Sequence, residues 1–191
     1  MKKLNIVLCG IGGQGTILAN EVISSTLMTE YSDIKATDII GIGQRGGSVL
    51  SHIKAGDLVH SPLIKERQAD ILIAFDKYEA LRWSKYLRTD GLLIVADSAH
   101  RPNAVEIGLD KDIDVEGELK KLQAEILVVG RVHKYMNVSI IGALSGFTDL
   151  SKEQWINTLK TTVKAHSLAS NLEAFELGRH EGENFIWRGK H

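Results

Sequence analysis

The stretch Val7-Leu8-Cys9-Gly10-Ile11-Gly12-Gly13-Gln14-Gly15 runs from apolar residues into glycines at 10, 12 and 15, and a helix-like pattern follows. That is the GxGxxG spacing of a phosphate-cradling loop between a strand and a helix. Glycine permits positive φ and lets a ligand approach the backbone closely. The amides that open the next helix add the positive end of its dipole. A second loop, Gly41-Ile42-Gly43-Gln44-Arg45-Gly46-Gly47-Ser48, places four glycines around Gln44 and Arg45. Two glycine-rich loops, each presenting a glutamine, are expected to meet at one edge of a sheet as a site or a subunit interface. Arg45 would serve there as an anion contact or an interface anchor.

A nicotinamide dinucleotide site would also need an acid at the end of the second strand, to hold the ribose hydroxyls. Asp38 lies near that place, but Ile39 and Ile40 follow it, and the glycines at 41–47 do not resemble an ordinary ribose pocket. The residues therefore favour an anion cradle over a dinucleotide site. Asp97-Ser98-Ala99-His100 follows an apolar run, at the productive end of a strand, but the GxSxG nucleophile elbow is absent. These four residues are read as a loop lining the cleft. The seven histidines form no HxxxH or HExxH pair, so no metal site is expected. The single cysteine, Cys9, sits in an apolar strand and is read as a core residue. One cysteine can support neither an internal disulfide nor a four-cysteine cluster.

The elements that must position these loops follow from hydrophobic period. Strands are expected at Leu4–Cys9, Ile34–Ile40, Ser48–Lys54, Asp70–Phe75, Leu92–Ala96 and Glu125–Val129, with a weaker one at Val105–Leu109. Ala55-Gly56-Asp57 reads as a turn that brings Leu58–His60 back as a hairpin partner of Ser48–Lys54. Helices are expected from Gln14 to about Thr29, at Tyr78–Tyr86, Val115–Leu122 and Met136–Phe147, and after a capping box at Ser151 and Gln154. The last helix is expected to end near Gly178. Gly142 and Gly146, four apart, would allow close helix packing. Strand and helix alternate, and the strands are nearly continuous in apolar residues. The expected fold is α/β: doubly wound, a mostly parallel sheet with helices on both faces and one antiparallel hairpin. Ligands in such sheets sit beyond the carboxyl ends of the strands, which singles out the loops at 10–15, 41–47, 76–77 and 97–101.

With 191 residues, 43% hydrophobic and 25% charged, the chain reads as one globular domain, 1–180, with a tail at 181–191. A net charge of −1 gives no basic surplus for nucleic acid. No signal peptide or membrane-length apolar run is visible, so a cytoplasmic, membrane-free protein is expected. Trp187, near the end, could dock on a partner or lie exposed. The lysine pairs at 120–121 and 160–164 read as solvated helix faces.

The motifs GIGGQG and GIGQRGGSVLSHIKAGD together resemble the gamma-type domain of the 2-oxoacid:ferredoxin oxidoreductases, in particular those acting on indolepyruvate. HSPLI at 60–64, ADILIAFDKYEALR at 69–82, DGLLIV at 90–95 and NVSIIGALSGF at 137–147 are similar to that family too. The resemblance covers the chain to about residue 178. It implies a subunit of a heteromeric enzyme that decarboxylates a 2-oxoacid on thiamine diphosphate, passes electrons through iron–sulfur clusters to ferredoxin, and releases an acyl-CoA. It implies that the thiamine and the clusters belong to a partner subunit, that CoA is a cosubstrate, and that this chain is inactive alone and binds no cofactor stably by itself. It allows a homodimer when the chain is isolated. Carried over residue by residue, it marks Gly10, Gly12, Gly13, Gln14 and Gly15, then Gln44, Arg45, Gly46, Gly47 and Ser48, and finally Asn137. The first loop would take the pyrophosphate of CoA on backbone amides, with Arg45 adding charge; alternatively Gln44 and Arg45 would touch the partner near its thiamine. The basic cluster of Arg131, His133 and Lys134 would be a solvated loop or a contact for the CoA 3′-phosphate. The residues alone leave two other readings, a stand-alone NAD(P)-binding enzyme and a non-enzymatic partner-binding scaffold.

Overall fold

The computed structural model describes residues 3–41, 47–109, 111–130 and 135–189. Six strands form one sheet: β1 (Leu4–Ile11), β2 (Asp33–Ile40), β3 (Ser48–Gly56), β4 (Ala69–Ala74), β5 (Leu87–Ala96) and β6 (Glu125–Val129). Their order across the sheet is β2-β3-β1-β4-β5-β6. The helices are α1 (Thr16–Leu27), α2 (Lys77–Trp83), α3 (Asn103–Glu106), α4 (Val115–Lys120), α5 (Met136–Ser145), α6 (Lys152–Thr162) and α7 (Leu168–Glu183).

Side-chain alternation divides the core in two. Ile6, Leu8, Ile53, Ile71, Ile73, Leu92 and Ile94 face a layer that includes Val22, Ile23, Ile140, Trp155 and Phe175. Val7, Cys9, Leu50, Leu72, Leu93 and Val95 face the other way, against Ala80, Val115 and Leu119. Both faces of β1, β4 and β5 are thus covered over their central residues, which is why Ile6–Cys9, Ile71–Ala74 and Leu92–Ala96 are uninterrupted apolar runs.

β1, β4, β5 and β6 pair in parallel, whereas β3 runs antiparallel to both β1 and β2. This one reversal places the loops. β2 points the same way as β1, so the chain leaving β2 at Ile40 and entering β3 at Ser48 turns at the carboxyl edge of β1. Ile11 of β1 lies opposite Ser48. The two glycine-rich segments therefore meet, and the Gly12 amide donates to the Gly47 carbonyl at 3.0 Å.

The antiparallel hairpin is β2–β3, not the expected return of Leu58–His60 onto β3. Both edges of β3 are already occupied, by β2 and β1, and no ladder position is left. The 58–60 segment is held instead by Asp33, whose carboxylate accepts the Val59 amide at 2.7 Å. The weak strand expected at Val105–Leu109 is a helical turn, α3, after Pro102. The Pro102 carbonyl accepts the Val105 and Glu106 amides, and Ile107 and Leu109 are exposed. The segment closes into this turn and pairs with neither edge strand, β2 or β6.

Ser151 and Gln154 form the capping box of α6. The following chain does not run straight on: a short 3-10 turn (Ala165–Ser167) separates α6 from α7. Gly178 is not a C-cap, since α7 continues to Glu183. Its function is close approach. A Cβ on Gly178 would fall 1.7 Å from the Ser139 carbonyl oxygen of α5, and one on Gly142 would fall 2.1 Å from the Phe175 carbonyl oxygen of α7. Gly142 and Gly146 thus allow the close packing the sequence suggested. The residues after α7 fold back on their own chain. Trp187 Nε1 donates to the Asp90 carbonyl at 3.0 Å, and Arg88 donates to the Gly189 carbonyl at 2.8 Å. No helix among the described residues is long and apolar enough to cross a membrane.

Candidate functional site

The first glycine loop closes on itself. The Gln14 side-chain oxygen accepts the Ile11 amide at 2.7 Å, and the Gln14 amide donates to the Ile11 carbonyl at 3.1 Å. Gly13 and Gly15 have φ of +95° and +83°, a region in which a side chain is strained. Gly10 leaves the space that Gln14 and Thr16 fill, since a Cβ there would lie 2.9 Å from Gln14 Oε1. Gly15 is the N-cap of α1, and no side chain caps that helix. Its first-turn amides keep their donor capacity for a ligand.

Gly13, Gln14 and Gly15 line a cavity of about 880 Å³, together with residues 97–100 after β5, residues 135–137 at the start of α5, and the α6–α7 junction with Lys164. Asn137 packs directly against Gly15. The structure therefore brings Gly13, Gln14, Gly15 and Asn137 to one cleft, and Gly10 and Gly12 shape the loop that borders it.

Ser48 is placed elsewhere. Its hydroxyl donates to the Glu79 carboxylate and accepts from Trp83 Nε1 at 3.1 Å. Glu79 is buried and also pairs with Arg82 at 3.1 Å. Gly47 joins the first loop through its carbonyl, but neither Gly47 nor Ser48 is among the cavity-lining residues. Gln44, Arg45 and Gly46 lie outside the described residues, as do Arg131, His133 and Lys134.

Asp38 does not face the first loop. β3 stands between β2 and β1, and the Asp38 carboxylate is engaged by Asn20 Nδ2 at 2.8 Å and by the Ser51 hydroxyl. The ribose contact of a dinucleotide enzyme has no counterpart there. Cys9 is fully buried. Burial pushes its thiol well above the usual value, and the charges of Glu79 and Asp76 push it further. It is a core residue, not a nucleophile. No group of three or more His, Cys, Asp or Glu residues among those described is placed to hold a metal ion.

One polar pair escaped the motif reading. Asp76 caps α2, its Oδ1 accepting the Tyr78 amide at 2.8 Å. Its Oδ2 accepts the His100 backbone amide at 2.7 Å and lies 2.9 Å from His100 Nδ1. Asp76 is fully buried, whereas His100 is exposed and lines the cavity. A carboxylate only accepts, so Nδ1 carries a proton and Nε2 is the ring's outward nitrogen. The signal lay in topology. Asp76 follows β4 and His100 follows β5, and loops after adjacent parallel strands meet. Beside them Lys77 bridges Asp97 at 2.7 Å and Glu116 at 2.6 Å. Burial alone would lower the Lys77 pKa; the hydrogen bonds and charges of its two carboxylates outweigh that and raise it.

The model of the pyruvate ferredoxin/flavodoxin oxidoreductase family matches residues 5–181. The chain is 31% identical to the indolepyruvate oxidoreductase subunit IorB of Archaeoglobus fulgidus, over 92% of this chain and 94% of that one. It is equally 31% identical to IorB of Thermococcus kodakarensis, over 93% and 95%. In fold it is similar to the gamma subunit of a keto/oxoacid ferredoxin oxidoreductase from Geobacter sulfurreducens, with a TM-score of 0.67, 20% identity, and coverage of 96% and 98%. It is also similar to part of the 2-oxoglutarate:ferredoxin oxidoreductase of Magnetococcus marinus. There the TM-score is 0.72 at 17% identity, with 98% of this chain and 32% of that one aligned. With a family match over residues 5–181 and relatives 31% identical over more than nine tenths of its length, the chain belongs to the pyruvate ferredoxin/flavodoxin oxidoreductase family.

Proposed function

We propose that this chain is a subunit of a 2-oxoacid:ferredoxin oxidoreductase, acting on an aryl 2-oxoacid such as indolepyruvate, and that its cleft receives CoA. The observation that carries the CoA assignment is the cleft itself. A glycine loop with two positive-φ residues opens an uncapped helix onto about 880 Å³ lined by Asn137, His100 and Lys164. That volume falls within the roughly 300–1,000 Å³ of organic-ligand sites. Uncapped amides and cationic side chains select an anionic ligand. The relatives named indolepyruvate oxidoreductase subunits support the substrate class. The Magnetococcus protein, described with 2-oxoglutarate, coenzyme A and succinyl-CoA bound, supports a CoA-handling enzyme.

The chemistry of decarboxylation and electron transfer is assigned to a partner subunit. One buried cysteine cannot ligate a four-cysteine cluster. Thiamine diphosphate, held by the partner, supplies the carbanion chemistry, and this chain holds the acyl acceptor. Reconstitution tests the assignment. The chain alone is expected to be inactive with 2-oxoacids and not to bind NADH. Co-expression with a thiamine- and cluster-bearing partner is expected to give CoA-dependent ferredoxin reduction. Saturable micromolar NADH binding to the isolated chain would overturn the reading.

Arg45→Ala separates two roles of the second loop within the same assembly. A raised KM for CoA with intact assembly assigns Arg45 to the ligand. Loss of co-purification assigns it to the partner.

A further inference from the structure

We propose that His100, held by buried Asp76, contacts a phosphate group of the ligand in the cleft and does so as the imidazolium. The inference rests on the CoA reading above and adds a named residue, a charge state and a pH sign to it.

The geometry fixes the ring. Asp76 Oδ2 takes both the backbone amide and Nδ1 of His100, so the ring has two tethers to one buried carboxylate. Ser98 Oγ lies 3.2 Å from the same Nδ1. Among the described residues the ring's contacts all fall on that nitrogen, and Nε2 is the atom left to meet a ligand. A pair of this shape serves a base or a cation. The surroundings favour the cation. The uncapped start of α1 adjoins the cavity, Lys164 lines it, and Asp97, the one carboxylate lining it among the described residues, is bound to Lys77. An anionic ligand entering this field favours a protonated His100, because Nε2–H then donates a charge-assisted hydrogen bond. The buried Asp76 carboxylate supports the same charge from behind.

The titratable and charged groups around the ring are Asp76 from the start of α2, Asp97 at the end of β5, Lys77 with its second partner Glu116 of α4, and Tyr135 and Lys164 on the cavity wall. Beyond them Arg101 pairs with Asp112 at 2.9 Å, and Tyr78 donates to the same Asp112.

The experiment is isothermal titration of CoA into the full chain at pH 6 and pH 8, for wild type and for His100→Gln. The ligand's own phosphate titrates in the same range and is common to both proteins, so the ratio of the two Kd values isolates the imidazole. The expected ratio is about tenfold at pH 6, the size of one charge-assisted hydrogen bond, and near unity at pH 8. Asp76→Asn, checked for folding by its thermal midpoint, is expected to reduce the pH 6 affinity in the same direction while leaving a weaker dependence on pH. A His100→Gln ratio that is the same at both pH values overturns the proposal, because a merely structural histidine has no reason to follow its own protonation. CoA binding with a ratio of unity throughout overturns it too and leaves the CoA reading standing. Absence of CoA binding by the wild-type chain at either pH overturns the CoA reading, and this proposal with it.

Discussion

A Cβ on Gly15 would fall 2.4 Å from the side-chain nitrogen of Asn137. The glycine loop and the start of α5 thus occupy one shared volume, although 122 positions separate them in sequence. Gly15→Ala meets two penalties, the Asn137 clash and a φ of +83°. The left-handed backbone alone costs about 1–2 kcal/mol. The single variant is expected to unfold at lower denaturant, and Gly15→Ala/Asn137→Ala to recover the clash but not the backbone share. Denaturant unfolding of the two singles and the double checks this.

The α5–α7 contact predicts a steeper loss. In Gly178→Ala the new methyl meets the backbone oxygen of Ser139 at 1.7 Å, and no rotamer change can relieve it. About 3 kcal/mol of destabilisation is expected, at the upper end for overpacking. Gly13→Ala meets no atom within 4 Å and bears only its φ of +95°, so it is expected to cost less. Thermal unfolding of both variants orders them.

That contrast also shows what the sequence could tell. Gly142 and Gly146 announced close packing by their spacing, but the facing Gly178 looked like a helix end, because glycine serves both purposes and only the facing helix decides. Strand positions were legible wherever both faces are buried, as in Leu92–Ala96. They failed at Leu58–His60, which found both edges of β3 occupied, and at Val105–Leu109, which turns helical after Pro102. In the site, the glycine loop and Asn137 were legible as motif residues. The Asp76–His100 pair was not, since each residue is ordinary alone and only adjacent parallel strands make them a unit.

His52 gives a pH dependence of stability. It is buried, Nδ1 accepts the Ile64 amide at 3.0 Å, and the ring stands edge-on to Tyr86 at 5.2 Å between centroids. Burial lowers its pKa. The unfolded chain therefore takes up a proton at higher pH than the folded one. Stability is full above the unfolded value of about 6.5 and falls as pH drops through it toward the folded pKa. His52→Gln is expected to remove that slope. Thermal midpoints between pH 7.5 and 5, on the order of the range an imidazole titrates over, make the comparison.

The tail makes a fourth case. Trp187 donates to the carbonyl of Asp90, whose own φ is +58°, and packs against Phe147 at 6.1 Å between centroids. Trp187→Ala is expected to destabilise the chain by about 1–2 kcal/mol, a typical loss for a half-buried contact. Equilibrium unfolding measures it, and an unchanged midpoint would assign the tail's role to a partner.

The reversed strand has a consequence for the order in which the molecule assembles. β1, α1 and β2 are synthesised before β3, yet β1 and β2 do not pair with each other. Each pairs with β3, and β2 has no other neighbour. Until Ser48–Gly56 has been synthesised, neither β1 nor β2 has a ladder to join. The nascent hairpin at 33–56 is then the earliest unit with its own backbone pairing, and β1 must be captured from upstream by a strand made after it. The same insertion that brings two glycine loops to one edge thus makes the N-terminal strand wait for its template.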